Sequence, residues 1–316
     1  MSLLVIGTVA YDAIETPFGK TDKIVGGAAS FISLAASYYY PNIYLVSIIG
    51  DDYDQNFLKL LQSKGVNLSG LQIKQGEKSF FWKGKYHIDM NSRDTLDTQL
   101  NVLSNFDPIV PEVAKNAEFV MLGNLMPSLQ MKVLNQLSRR PKLVMMDTMN
   151  FWMETAMDDL LKVMKEVDIL TINDEEARIL AKTPSLRKAA TQILKMGPKI
   201  LIIKKGEHGA LLFYKDEVFF APALPLEEVF DPTGAGDSFA GGMIGYLART
   251  NDLYFENLKR AIIVGSAMAS FTVEKFGTEA LQHLTPIQIH NRIQEFVKLS
   301  SFEMKWLPDS ETVNSR

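Results

Sequence analysis

The sequence predicts an α/β fold in which a mainly parallel central sheet is covered by helices and a small second sheet stands apart. Three observations predict it. Short, branched apolar runs recur along the chain, stretches of helical period separate them, and two segments with polar faces break the rhythm. Leu3–Ile6 shows no polar alternation, so it reads as a strand buried on both faces. Ile43–Ile48, Phe119–Leu122, Leu143–Met146, Ile169–Ile172 and Ile200–Ile203 share that character. Helices are expected between them at Ala28–Tyr39, Asp54–Lys64, Ser128–Ser138, Ala156–Lys165 and Asp174–Ala181. Strand–helix–strand alternation at this spacing implies right-handed crossovers and parallel pairing.

Tyr11–Val25 and Gln72–Asn101 are different: polar residues share these strand-like runs, which suits a sheet with one wet face. Within Ser79–Ile88 a hairpin is expected to turn near Lys83-Gly84. Both segments flank the Gly26-Gly27 turn, so they are expected to form a lid over a substrate. The organisation expected is a core of residues 1–10, 26–71 and 102–307, a β lid of 11–25 and 72–101, and a polar tail at 308–316.

Composition narrows the function classes. The 316 residues are 47% hydrophobic and 22% charged, as in an ordinary globular protein. A net charge of -4 argues against a nucleic-acid or membrane partner. The absence of cysteine excludes disulfides, thiolate metal sites and a cysteine nucleophile, and fits a reducing cytoplasm. Met1–Gly7 has no basic lead and too short an apolar run for a signal peptide. No stretch reaches the about 18 apolar residues of a membrane helix. A soluble, cytoplasmic protein is expected.

The segment richest in chemistry is Asp231–Gly242, where Gly234-Ala235-Gly236 opens directly into a helix of small residues. Glycines let backbone N–H groups converge, and the helix start adds unpaired donors at the positive end of its dipole. That is an anion hole. Asp237, at the same helix start, can accept a proton from a hydroxyl beside the anion, although an N-cap Asp after a glycine turn is also common. Asn173-Asp174-Glu175-Glu176 follows a buried strand and reads equally as an acidic helix cap. Lys204–Gly209 follows another, and reads also as a turn into the strand-like Ala210–Tyr214. Asp147 and Asn150 follow a third, where strand ends face the cleft of an α/β sheet.

Taken in order, these motifs resemble the ribokinase-like carbohydrate kinases, the PfkB family, from Val5 to about Gly277. Asp231-Pro232-Thr233-Gly234-Ala235-Gly236-Asp237 is similar to the family's Asp-Thr-x-Gly-Ala-Gly-Asp signature, Gly26-Gly27 to its N-terminal motif, Asn173–Glu176 to its Asn-x-x-Glu, and Lys204–Gly209 to its Thr-x-Gly-x-x-Gly loop. The resemblance implies a ribokinase-like three-layer fold whose core binds ATP, and transfer of the γ-phosphoryl group to a hydroxyl of a small sugar or sugar-like acceptor. It implies Asp237 as general base with Gly234, Ala235 and Gly236 as the anion hole. Asp12, Gly26, Gly27 and lid residues such as His87 would hold the acceptor. Lys204, Gly206, Gly209, Thr233 and Gly277 would meet the nucleotide, and Asn173 and Glu176 would order Mg2+ through water. A monovalent cation such as K+ is a further implied cofactor.

Two departures matter. Lys204 stands where the family has Thr, offering a point charge in place of a hydroxyl. Phe31 stands where the family's sugar kinases have a sugar-binding Asn, and the Gly26–Phe31 string is similar to inositol kinases. Phe31 therefore reads either as a stacking face at the acceptor or as core, and a cyclitol or nucleoside acceptor is an alternative to a sugar. Apolar Phe80, Phe81 and Trp82 on the lid suggest a homodimer through it. A non-catalytic ligand sensor on this fold is the remote alternative, disfavoured by the retained Asp237. A dinucleotide oxidoreductase lacks its Gly-x-Gly-x-x-Gly after the first strand.

Overall fold

Strands with no exposed face need cover on both sides, and the helices between them supply it. The computed structural model describes residues 1–301 and 303; the expected tail at 308–316 lies outside the described residues. β1 (Leu3–Ile6) leads through β2 (Ala10–Thr16), β3 (Gly19–Lys20) and β4 (Ile24–Gly26) to α1 (Ala28–Ser37), β5 (Ile43–Gly50), α2 (Gln55–Ser63) and β6 (Val66–Lys74). The hairpin of β7 (Phe80–Tyr86) and β8 (Arg93–Gln99) precedes β9 (Phe119–Leu122), α3 (Pro127–Leu134), β10 (Leu143–Asp147), α4 (Asn150–Thr155) and α5 (Met157–Met164). Then come β11 (Ile169–Asn173), α6 (Asp174–Ala181), α7 (Leu186–Leu194), β12 (Ile200–Lys204), β13 (Ala210–Tyr214) and β14 (Glu217–Ala221). The helices α8 (Ala235–Thr250), α9 (Phe255–Thr272), α10 (Glu279–Gln282) and α11 (Pro286–Ser300) follow.

The nine-stranded main sheet runs β14-β13-β12-β11-β10-β9-β1-β5-β6. From β12 to β6 all pairings are parallel, and β13 and β14 add an antiparallel edge. Alternate residues feed two cores. Leu3 and Val5 pack with α1, α8 and α9 on one face, while Leu4 and Ile6 pack with α5, α6 and α7 on the other. α1 and α8 approach closely because α8 carries glycine at the contact: a Cβ on Gly241 would stand 2.4 Å from the Ile32 carbonyl oxygen. This contact fixes where α8 begins, and so where Asp237 sits.

The second sheet runs β3-β2-β7-β8, with β4 also pairing β2. Three expectations need correction. Residues 72–74 belong to β6 in the main sheet, because Gln72, Ile73 and Lys74 continue its pairing with β5. The hairpin does not turn at Lys83-Gly84; β7 continues through it with a shift of register against β8, and the reversal lies at His87–Ser92. There the Asp89 carboxylate accepts from the amides of Asn91 and Ser92, which nucleates the turn. Gly84 serves a different purpose, since a Cβ on it would lie 2.1 Å from the Trp82 ring. Finally, Phe80, Phe81 and Trp82 are half-buried, so the lid exposes less apolar surface than the sequence suggests. Among the described residues, no helix is long and apolar enough to cross a membrane.

Candidate active site

Asp147, Asn173 and Lys204 end three consecutive parallel strands, β10, β11 and β12. Strand order alone brings them together. Lys204 Nζ lies 3.0 and 2.9 Å from the two carboxylate oxygens of Asp147, and both side chains are largely buried. Burial by itself would push the Lys204 ammonium down, but Asp147 and Glu176 outweigh it and hold the group above the ordinary lysine range. Asn173 caps α6: its Oδ1 accepts from the Glu176 amide at 2.7 Å, and Glu176 Oε2 accepts from the Asn173 amide at 2.8 Å. The motif is thus a reciprocal capping box that also holds a buried carboxyl in the cleft. Burial pushes the Glu176 carboxyl up to about 7, with Lys204 pulling it down and Asp147 pushing it further up.

Beside these strand ends lies the glycine turn. Gly234 adopts φ 77°, a left-handed conformation that favours glycine, and a Cβ there would meet the Phe31 ring at 2.5 Å. α8 starts at the next residue, no side chain caps it, and the amides of Gly236 and Asp237 have no carbonyl partner among the described residues. These are the open donors of an anion hole. Asp231 braces the turn from below, fully buried. Its Oδ1 accepts from the Thr233 amide at 2.8 Å and its Oδ2 from the Gly277 amide at 2.9 Å. Burial is the first cause that pushes the Asp237 carboxyl up to about 7; Asp147 adds to it, while Lys204 and Arg93 oppose it.

Asp12, on β2, reaches the same cleft from the lid side. It is 5% exposed, and its carboxylate fills the space that a Cβ on Gly26 would need, at 1.9 Å. Gly27 has φ 89° and brings its backbone against Thr8 and Ala10. Burial pushes the Asp12 carboxyl up to about 7; the Asp231 charge adds to this and the Gly27 amide opposes it, with Asp237 a smaller upward push.

The lid is docked across the cleft. Thr233 Oγ1 donates to Tyr86 Oη at 3.1 Å, and the hairpin tip places Asn91 over Gly206, where a Cβ would meet Asn91 Oδ1 at 2.4 Å. Trp82 pairs with Asp12 on adjacent strands and faces the same way, its ring covering Gly84, the Arg93 guanidinium over it at 6.0 Å and its Nε1 donating to Thr95 Oγ1 at 3.2 Å. Arg93, opposite Tyr86, sends its charge to both Asp237 and Glu176.

The structure therefore brings together Asp12, Gly26, Gly27, Glu176, Lys204 and the Thr233–Asp237 segment. Gly206 and Gly209, with φ 53° and 81°, shape the loop after β12. Two candidates fall away from the acceptor. Phe31 is 1% exposed and lies beneath Gly234 in the core, where α1 packs on α8, so it presents no face to a ligand. His87 is half exposed past the end of β7 and pairs with Asp94 at 3.1 Å. Asn150 is the first residue of α4, and its side-chain oxygen accepts from the Phe151 amide. Sequence reading missed Tyr86 and Arg93; lone Tyr and Arg residues in a polar strand carry no local signal. Among the described residues no cluster of three or more His, Cys, Asp or Glu side chains is placed to hold a metal ion. Magnesium keeps several waters and meets a nucleotide's phosphates. The open amides, the glycine cradle and the oxygen donors of Asn173 and Glu176 fit such a pair.

Comparison with known proteins identifies the family and the fold. The pattern of the pfkB family carbohydrate kinases matches residues 2–284. A cytidine kinase of Thermococcus kodakarensis is 30% identical over 283 residues, covering 88% of this chain and 98% of its own. An inositol 3-kinase of Arabidopsis thaliana is 23% identical over 309 residues, covering 92% of this chain and 79% of its own. The crystal structure of the Methanocaldococcus jannaschii nucleoside kinase, described as an archaeal member of the ribokinase family, superposes with a TM-score of 0.74 at 22% identity. It covers 93% of this chain and 99% of the other.

Proposed function

As a member of the pfkB carbohydrate kinase family, this chain is a phosphotransferase with an alcohol acceptor, and we propose that it uses ATP to phosphorylate a hydroxyl of a nucleoside. The observation that carries the reading is the convergence on one cleft of the buried Asp12 carboxylate, which the Asp237 charge pushes further up, and of the half-buried Asp237 beside the open amides of the glycine turn. Asp12 accepts hydrogen bonds from acceptor hydroxyls and orients them. Asp237 takes the proton from the attacking hydroxyl as the new O–P bond forms and the bond from the γ-phosphorus to the bridging oxygen breaks, with ADP leaving. The Gly236 and Asp237 amides hold the transferring charge, and Arg93 adds a cation from the lid side. Asn173 and Glu176 would hold magnesium, which when bound would supply charge neutralisation on the phosphates. The docked lid keeps out water that would compete as acceptor.

A nucleoside is favoured over a plain sugar by Trp82. Its ring stands on the lid face that carries Asp12, beside Gly84 and under the Arg93 guanidinium, and an apolar aromatic ring suits an aromatic base better than a cyclitol or an open sugar. The 30% identity to a cytidine kinase supports the same class. A cyclitol acceptor loses its support from Phe31, which is core. The test is ATP consumption across a panel of nucleosides, sugars and cyclitols. A nucleoside is expected to give the highest kcat/KM; a sugar or cyclitol favoured over every nucleoside by more than tenfold overturns the substrate class.

A further inference from the structure

We propose that Lys204 grips the terminal phosphate of ATP, and that Asp147 is a positioning residue that holds this cation ready in the cleft before nucleotide arrives. The inference rests on the kinase reading and adds to it a discrimination between ATP and ADP built into the chain.

The geometry begins with the pair itself. The Lys204 side chain is 17% exposed and Asp147's is 7% exposed, so two opposite charges sit at the buried end of the sheet. A buried ion pair of this kind contributes little net stability, because desolvation offsets the attraction. Its placement explains it better. A Cβ on Gly236 would stand 2.9 Å from Lys204 Nζ, so the ammonium lies directly against the glycine turn. It is within reach of whatever the Gly236 and Asp237 amides bind.

An ammonium has three donors, and Asp147 is the one hydrogen-bond partner of Lys204 Nζ among the described residues. Asp147 is itself fixed, since its Oδ1 also accepts from the Thr148 amide at 3.1 Å. Lys204 is thereby pinned at the end of β12 with donor capacity left over. The phosphate it meets is the transferred one. Lys204 Nζ lies against Gly236, the residue next to Asp237, which stands beside the attacking hydroxyl, and only the terminal phosphorus lies next to that hydroxyl in an in-line transfer. As a point charge, the ammonium can follow the phosphate as its bond to ADP breaks.

The test is equilibrium binding of ATP and of ADP, each with magnesium, by titration calorimetry. Lys204→Met is expected to lose about tenfold or more in its preference for ATP over ADP, the effect of one charge-assisted hydrogen bond. Lys204→Arg, which keeps the charge, is expected to recover most of it. Asp147→Asn is expected to lose a smaller share, since it removes the holder and leaves the grip. If Lys204→Met melts before it can be titrated, the double variant Asp147→Asn with Lys204→Met removes both partners of the ion pair and carries the same measurement. An ATP-to-ADP affinity ratio within twofold of the parent in the folded variant overturns the inference and leaves the kinase reading standing. A parent that binds neither nucleotide overturns the kinase reading, and this inference with it.

Discussion

Tyr86 on the lid hairpin and Thr233 in the glycine-turn segment share a hydrogen bond of 3.1 Å, which joins the acceptor cover to the phosphate cradle. Burial pushes the Tyr86 hydroxyl up to about 12, so it stays neutral through the working range and keeps its place in this bond. Tyr86→Phe removes the link without removing the ring. It is expected to cost about 1 kcal/mol of stability and to raise ATP hydrolysis in the absence of acceptor, because a looser lid admits water. Uncoupled hydrolysis equal to the parent's would show that the bond does not hold the lid.

Asp237→Asn keeps the size of the side chain and removes the base. Turnover should fall by roughly 10²–10⁴-fold, with ATP affinity near the parent value. Turnover within threefold of the parent removes Asp237 from the role.

Acid should silence the enzyme through the same group. Asp237 must be ionised to accept a proton, and its carboxyl is pushed up to about 7, so kcat/KM should rise with pH through about 7. The groups that set this value are Asp147 on β10, which pushes it up, and Lys204 on β12 and Arg93 on β8, which pull it down. Asp147→Asn removes an upward push, so its acid limb should lie at lower pH than the parent's. Arg93→Ala removes a downward pull, so its limb should lie higher. A pH profile for each variant checks both signs.

Trp82→Ala tests the substrate class. Stacking of a base on an aromatic ring contributes about 1–3 kcal/mol, so nucleoside kcat/KM should fall roughly tenfold or more while any activity on free sugars is unchanged. Equal losses on both would assign Trp82 to lid packing alone.

Phe31→Asn places an amide in the core beneath Gly234. It should cost about 3 kcal/mol or more and leave the ranking of acceptors unchanged. Thermal denaturation beside the acceptor panel reads both; an altered ranking at unchanged melting temperature would return Phe31 to the site.

The sequence by itself determined the parallel sheet, because strands such as Leu3–Ile6 and Ile200–Lys204 are buried on both faces and show it in every residue. It also determined the glycine turn and the Asn173–Glu176 box, whose geometry is made within a few residues: Gly234 needs φ 77° whatever surrounds it. Tertiary structure decided the rest. Asp147 meets Lys204 only because β10, β11 and β12 are neighbours, and Tyr86 and Arg93 reach the cleft only because β7 pairs with β2 across the lid. Phe31 shows the same limit from the other side. A phenylalanine one turn past Gly27 suits a binding face or a core equally well, and the close packing of α8 on α1 made it core. Local chemistry is written in the order of residues, whereas contacts between residues far apart in the chain follow from which strands become neighbours.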